Sequence, residues 1–313
     1  MGAYIIRRLL SFIPMLLVLS FITFLLSYYG PGDPIQLIMG EDWATAEGRA
    51  LLRHQYGLDR PLMVQFADYL RHAATGDFGR SYVQRVEVGE LISKALPISA
   101  QLALMSIIII TVVGVGSGVV AAKWHLRWPD ASIGTSAVVL HSVPSFVLAP
   151  LMLVLLVLKL GWISTPTGWH GFFSIQTFLA AAIISAGPLL GIMRQTRSGV
   201  IDVMGQDYIR TARAKGLSER RIMTVHILSN ALAPVTTSLG LTLGALLGGA
   251  IFVESAFSIP GLGQLYYSAI RTADYPLLMG ATIVSAFWIM LMNLVVDVLY
   301  GFLDPRVRLG GGS

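Results

Sequence analysis

The sequence has 313 residues, of which 55% are hydrophobic and 12% are charged, and its mean hydropathy is +0.70. A soluble domain would carry charge on about a quarter of its residues, so this composition excludes an ordinary soluble protein and predicts an all-α protein that crosses the membrane several times. The net charge is +5, and seven of the 22 Lys and Arg residues lie between Arg194 and Arg221, so their local placement explains the charge without a nucleic-acid-binding surface. Cysteine is absent, which excludes disulfides and thiolate metal sites.

Six windows are long and apolar enough to cross a bilayer, which requires about 20 residues each. The first window carries Arg7 and Arg8 near its start and no small-residue cleavage site follows it, so residues 1–29 are interpreted as an uncleaved first helix rather than a signal peptide. Internal prolines predict kinks in several of the spans. The six windows are Ile5 to Tyr29, Pro97 to Ala122, Ile133 to Leu158, Thr177 to Met193, Ala231 to Val253 and Leu277 to Leu303.

Most basic residues of the short loops fall on one side of the predicted membrane, which places both termini in the cytoplasm. Residues 30–96 combine Pro and Gly with helical patterns and predict a small external subdomain, which either helps to receive a binding protein or only caps the bundle. Residues 97–303 then form a five-helix core. This core contains a cytoplasmic loop at 194–229 and an external loop at 254–276. The cytoplasmic tail would be 304–313, whose last four residues, 310–313, resemble a cloning scar.

The stretch from Gln206 to Leu228, called the basic segment below, predicts two short helices joined by a glycine turn. Asp207 opposes the positive end of the first helix dipole, and Lys215 lies in the last turn of that helix. Gly216 supplies the left-handed residue that ends the helix, and Ser218 begins the next one as its N-cap.

One stripe of the first short helix combines an aromatic ring with small side chains, and such a stripe could enter a groove closely. The stripe consists of Tyr208, Thr211, Ala212 and Lys215. Arg210 and Arg213 point elsewhere. A DNA-binding helix-turn-helix is disfavoured because no third helix completes a core, whereas a basic loop that serves only membrane topology is an open alternative.

Residues Arg210 to Gly216 read Arg-Thr-Ala-Arg-Ala-Lys-Gly, with Leu228 downstream, and resemble the EAA loop of ABC importer permeases. The residues of this motif resemble those of the dipeptide/oligopeptide subfamily. Arg210 and Thr211 depart from the first two consensus residues, and Ser229 replaces the usual proline. The resemblance implies a type I ABC importer permease fold in a prokaryotic plasma membrane. It also implies a coupling helix that contacts an ATPase through Asp207, Tyr208, Arg210, Thr211, Ala212, Arg213, Lys215 and Gly216.

The stretch before the last window closely resembles the outer loop of peptide permeases, and it contains Phe257, Pro260, Gly261 and Gly263. Its Gly-Leu-Gly is not a nucleotide fingerprint, because it follows proline and precedes no βαβ unit. Short sequence motifs in the first loop, at 57–61 and 76–81, resemble the outer segment of the same subfamily. The resemblance therefore covers nearly the whole chain.

The fifth window carries Gly240, Gly244 and Gly248 at four-residue spacing, which lets helices approach closely. The stripe serves either packing within the bundle or the subunit interface and the transport pathway. Asn293 and Asp297 lie one turn apart in the sixth window and share a face, so they could hydrogen-bond. An interface or snorkelled role is favoured for Asp297 over a substrate or proton site.

Three other ionisable residues are given structural interpretations. His141 in the third window is interpreted as a hydrogen-bonded core histidine, and Arg194 and Glu254 as residues at span boundaries. No catalytic or metal-binding residue is predicted.

None of the four lysines follows a glycine, so the chain has no phosphate-binding Walker loop and is not predicted to be an enzyme. The resemblance implies four kinds of partner for this chain: two ATPase subunits that bind ATP and Mg, a second permease subunit that is related but distinct, an extracytoplasmic substrate-binding protein, and membrane lipid. Its expected cargo is di- or oligopeptides, with nickel chelates, glutathione or other small solutes as alternatives. A carrier driven by an ion gradient is the rival of a different class, although acidic groups at mid-membrane are scarce.

Overall fold

The computed structural model describes residues 2–30, 35, 46–55, 57–164 and 168–303, and all regular elements in these ranges are helical. The helices are α1 Gly2–Tyr29, α2 Ala46–Gln55, α3 Leu62–Ala74, α4 Val88–Lys123, α5 Trp128–Ser142, α6 Ser145–Lys159, α7 Ile175–Met204, α8 Asp207–Ala214, α9 Glu219–Ala231, α10 Ala233–Gly249, α11 Ile251–Ala256, α12 Leu262–Arg271 and α13 Tyr275–Leu303. The predicted tail at 304–313 lies outside the described residues.

Six spans arise from four long apolar helices and two bent helix pairs. The long helices are α1, α4, α7 and α13; the pair α5–α6 bends by 94° and the pair α9–α10 by 55°. When each bent pair counts as one span, the number agrees with the six apolar windows of the sequence. Val143 is extended at the sharper bend because Pro144 follows it, and a residue before proline avoids the helical region.

Two boundaries differ from those expected. α4 begins at Val88, so the expected division between residues 96 and 97 falls inside a continuous helix. The second helix of the basic segment is not short, because α9 runs on to Ala231 and is followed almost directly by α10. Apolar windows miss both features, since the additional turns are amphipathic and carry charged residues such as Glu90 and Arg220.

The largest apolar cluster lies between α4, α6, α7, α10 and α11. Its buried members include Leu102, Ile110, Ala149, Ile183, Leu246 and Val253. Small residues allow α4 and α7 to meet closely: a Cβ added to Gly118 would lie 2.6 Å from the carbonyl oxygen of Met193. Ser185 also donates a hydrogen bond of 3.1 Å to the carbonyl oxygen of Ser106 across this contact. Interhelical packing and polar contacts of this kind hold membrane helices together.

The glycines of α10 pack against α13. A Cβ on Gly240 would collide with the side chain of Val296, and one on Gly244 would lie 2.9 Å from the Oδ1 atom of Asn293. Gly248 falls in a part of α10 whose side-chain packing lies outside the described residues. For Gly240 and Gly244, the geometry favours packing within the bundle over the pathway interpretation.

Asp297 joins the first and last spans. Its Oδ2 atom accepts a hydrogen bond of 3.1 Å from the Tyr4 hydroxyl and lies 3.1 Å from an Arg8 guanidinium nitrogen. The partners of Asp297 are therefore on α1, whereas the expectation from spacing was Asn293. The i, i+4 pattern identifies residues on one helix face but carries no information about the helix packed against that face.

Candidate coupling site

The short helix α8 is attached to the bundle through an apolar underside. Ile209 and Ala212 are buried in a cluster with residues from the adjoining ends of α4, α7 and α9. The other buried members of this cluster are Ala122, Val200, Ile222, Ile227 and Ala231. Because α4 and α7 both contribute to this cluster, α8 shares its apolar packing with the ends of two long helices.

The outward face of α8 differs from the predicted stripe in one position. Tyr208 is 45% exposed, and Thr211 and Lys215 are also exposed, but Ala212 is only 7% exposed and faces the bundle. Ala212 follows Ile209 by three residues, so the two side chains share the buried face. The prediction that Ala212 enters a partner's groove is therefore wrong, and the accessible face is formed by Tyr208, Thr211 and Lys215.

The turn after α8 has the predicted left-handed glycine. Gly216 has a φ of +76°, and the N–H groups of Gly216 and Leu217 donate to the carbonyl oxygens of Arg213 and Ala212 at 2.9 and 3.3 Å. These bonds satisfy carbonyls that a helix end otherwise leaves free. Ser218 accepts from the N–H of Arg221, which confirms it as the N-cap of α9.

A salt bridge crosses this turn. Arg213 donates from Nε to Oε1 of Glu219 at 2.8 Å and from Nη2 to Oε2 at 3.4 Å. These hydrogen bonds from Arg213 to Glu219 raise the pKa of the guanidinium above its ordinary value. A bidentate contact of this kind fixes the angle between the two helices better than a single charge pair does.

The charged side chains on the outward face make only weak contacts within the described chain. Asp207 and Arg210 form a 3.3 Å pair, but their side chains are 93% and 75% exposed. Exposed pairs contribute about 0–1 kcal/mol, so these groups can exchange partners at little cost. Asp207 and Arg210 therefore remain available to an approaching protein surface, as does the exposed Lys215.

A less exposed ion pair beside the segment was missed by the sequence analysis. Arg197 on α7 donates to Asp130 on α5 through Nε at 2.6 Å and Nη2 at 2.7 Å, and the Asp130 side chain is only 10% exposed. Asp130 also accepts from the N–H of Leu126 at 3.0 Å. The signal in the sequence is Asp130 in the first turn of its helix, directly after Pro129.

The loop before the last span is organised around Glu254, at the other end of the bundle. The buried Glu254 carboxylate accepts from the Ser99 hydroxyl at 2.7 Å and from the N–H of Gly263 at 2.7 Å. A Cβ on Gly261 would collide with this carboxylate. The interpretation of Glu254 as a residue at a span boundary did not include its burial or its role as an acceptor for this loop. Gly261 is required by the close approach of its backbone.

The same loop holds the first loop in place. Buried Asp274 accepts hydrogen bonds from the Ser81 hydroxyl and from the N–H of Tyr82, the latter at 3.2 Å. Among the expected residues of this region, Phe257 is buried in the core and Pro260 is exposed. An aromatic contact attaches the first loop at a second point, where the ring centroids of Phe66 on α3 and Phe24 on α1 are 5.3 Å apart.

Solved transporters share this fold. Two inward-facing crystal forms of the MetNI methionine ABC transporter match with TM-scores of 0.56 and 0.57, at 16% and 18% identity. Each match covers 68% of this chain and 96% of the solved chain. At this identity the likeness establishes the fold alone.

Curated relatives match along the whole length. The glutathione transport system permease protein GsiC of Salmonella choleraesuis (strain SC-B67) is 41% identical over 307 residues, which cover 97% of this chain and 98% of the relative. GsiC of Escherichia coli (strain K12) is 39% identical over the same extent.

Two family descriptions divide the chain between them. Residues 1–103 match the N-terminal part of the membrane components of binding-protein-dependent transport systems, and residues 114–309 match the inner membrane component itself. In such ABC importers, separate ATPase subunits hydrolyse ATP and a binding protein delivers the solute. The chain belongs to the family of inner-membrane components of binding-protein-dependent transport systems, the permease subunits of bacterial ABC importers.

Proposed function

We propose that this permease imports short peptides, including glutathione or similar γ-linked peptides. The observation that carries the proposal is the 41% identity to glutathione permeases along 97% of the chain. The motif at Arg210 to Gly216 resembles that of peptide permeases and supports the same class of transported solute. Membership of the importer family argues against the ion-gradient carrier considered from the sequence.

The basic segment faces the cytoplasm in this proposal, as do both termini. A single cysteine in place of Lys215 can test this orientation, because the natural chain contains no cysteine. A membrane-impermeant thiol reagent should label Lys215→Cys in inverted vesicles and leave it unlabelled in intact cells. Labelling in intact cells would refute the orientation.

Each end of the molecule binds a different partner in this proposal. The outward face of α8, with Tyr208, Thr211 and Lys215, docks into a cleft of an ATPase subunit, which holds ATP and Mg. The loop end, which includes Pro260 and the first loop, receives the binding protein. A second permease, related to this chain but distinct from it, completes the pathway, and the two alternate between outward and inward access.

The decisive experiment is uptake by the reconstituted importer. The permease is purified with its neighbouring permease, ATPases and binding protein and placed in proteoliposomes. Uptake of radiolabelled glutathione, tri-alanine and a nickel–histidine chelate is then compared with ATP inside the vesicles. The matched control contains ATPase subunits with an inactivated nucleotide site.

We expect ATP-dependent uptake of at least one of the two peptides and no accumulation in the control. Uptake of the nickel chelate alone would replace the peptide proposal with the metal-chelate alternative. Accumulation of solute by the permease without any ATPase would refute the proposed mechanism.

A further inference from the structure

A cavity of about 330 Å³ lies where the helices of three spans depart from regular geometry. Its walls include the bend between α5 and α6, the Gly187–Pro188 step of α7, and Thr242 and Leu246 of α10. Gly187 is twelve residues from the start of α7, or about 18 Å along a helix axis. The cavity therefore lies near the middle of α7, which is one of the candidate membrane spans. Irregular backbone at this depth is tolerated where it lines a cavity, and binding sites of transporters are often built in this way.

His141 lines this cavity, and its side chain is exposed rather than packed in the core. Its Nδ1 atom lies 2.9 Å from the carbonyl oxygen of Gly187. A carbonyl oxygen only accepts hydrogen bonds, so Nδ1 must carry the proton. In the neutral ring the other nitrogen, Nε2, is then an acceptor. The contact with Gly187 thus fixes both the orientation of the ring and its tautomer.

Two further polar side chains line the cavity, Ser145 and Thr242, and their hydroxyl oxygens can also accept a hydrogen bond. Thr242 already donates its hydroxyl proton to the carbonyl oxygen of Ser238 at 2.8 Å, within its own helix. Ile183 and Leu246 contribute apolar walls. An N–H group of a solute that leaves water for these apolar walls needs a new acceptor, and Nε2 of His141 can supply one.

We propose that His141 is a substrate contact of the transport pathway, whose Nε2 atom accepts a hydrogen bond from an amide N–H or an ammonium group of the passing solute. This inference rests on the proposed function and adds a specificity-determining residue to it. A bound metal ion is not the expected occupant, because no cluster of three or more His, Cys, Asp or Glu side chains occurs in the part of the chain that the structure describes.

Two substitutions separate the two nitrogens of the ring. In His141→Asn the side-chain amide nitrogen takes the place of Nδ1 and can still donate to the Gly187 carbonyl, but the Nε2 acceptor is lost. In His141→Gln the amide oxygen reaches the position of Nε2, whereas the Nδ1 donor is lost. The pair therefore distinguishes a substrate contact from a purely structural contact between α5 and α7.

Both variants are measured in the complete importer, with glutathione and tri-alanine as probes at saturating binding protein. We expect the substrate concentration for half-maximal uptake to rise about 3- to 10-fold in His141→Asn, the loss typical of one hydrogen bond. His141→Gln should stay within about 2-fold of the natural protein, and the melting temperatures of both complexes should remain close to it.

The opposite ranking, with His141→Gln impaired and His141→Asn normal, would assign His141 a structural role and overturn the proposal. Equal, unimpaired uptake by both variants would overturn it as well. Neither result would touch the proposed function, which fails only if the natural complex does not import either probe.

Discussion

Gly216 is the residue at which the coupling proposal can be tested most sharply. Its φ of +76° lies in the left-handed region, yet a Cβ added there would meet nothing within 4 Å. Replacing Gly216 with alanine therefore introduces backbone strain without a steric clash. For an L-residue the left-handed conformation costs roughly 1–2 kcal/mol, which corresponds to a factor of about 5–30 in the equilibrium between the intact and the opened turn.

Gly205, just before α8, provides a matched control. Its φ is −79°, and a Cβ there would make an ordinary contact of 3.6 Å with the carbonyl oxygen of Asp202. Both Gly→Ala changes reduce the freedom of the unfolded chain by a similar amount, so this effect cancels between them. The comparison of Gly205→Ala with Gly216→Ala therefore isolates the cost of the left-handed turn.

The assay is the number of solute molecules imported per ATP hydrolysed by the reconstituted complex. We expect this ratio to fall several-fold in Gly216→Ala, to stay near the natural value in Gly205→Ala, and to be partly restored in Gly216→Asn, because asparagine tolerates the left-handed region. Membrane insertion should be unchanged in all three. A ratio near the natural value in both alanine variants would refute a role for the turn in coupling. An equal fall in both variants would refute it too, because the added side chain rather than the left-handed turn would then be the cause.

Three further predictions, which use five substitutions, test how the structure holds its parts together, each by the melting temperature of the purified complex. Glu254→Ala leaves buried N–H groups without acceptors and should cost roughly 1–3 kcal/mol for each lost hydrogen-bond partner. An unchanged melting temperature would contradict the inference that Glu254 holds the loop before the last span in place. Asp130→Asn should cost about 1.5–3 kcal/mol because it weakens a charge-assisted pair whose aspartate is 10% and whose arginine is 30% exposed. The exposed Asp207→Asn should change stability by less than about 0.5 kcal/mol, and similar effects of the two would be inconsistent with the difference in burial. Gly240→Ala should destabilise the contact with α13 by roughly 1–3 kcal/mol, and shortening its neighbour in Val296→Ala should recover part of the loss, which would not happen if Gly240 faced the pathway.

Local chemistry allowed the ends of helices to be predicted, while contacts between distant segments were not accessible from the sequence. The left-handed Gly216 and the N-cap Ser218 depend on the residues beside them, and both predictions are confirmed. The apolar windows likewise depend on composition alone. The burial of Glu254 could not be predicted, since its acceptor role requires Ser99, which lies 155 residues away in the chain.

The error at Ala212 has a related cause. Helical spacing groups residues by face, and a stripe of tyrosine, threonine, alanine and lysine is equally compatible with an inward or an outward orientation of its alanine edge. The apolar neighbour Ile209 decides the question, because its side chain must be removed from water more urgently than a single methyl group. Weighing the whole helix circumference, rather than the stripe with the expected role, would have predicted the orientation.

The geometry connects the proposed coupling surface with the proposed substrate contact through a short physical route. α8 follows the end of α7, shares an apolar cluster with Ala122 of α4 and Val200 of α7, and is followed by α9 and α10. α7 and α10 are also the helices that, with the α5–α6 bend, wall the cavity beside His141. A push on α8 therefore acts on the elements that determine the shape of that cavity, without needing an additional moving part. Since the hydrogen bond of His141 spans from α5 to Gly187 on α7, relative movement of these helices would change both the width of the cavity and the direction of Nε2. Delivery and release of the solute would then differ in whether this acceptor is presented to it, which is the differential contact that any ligand-coupled transition requires.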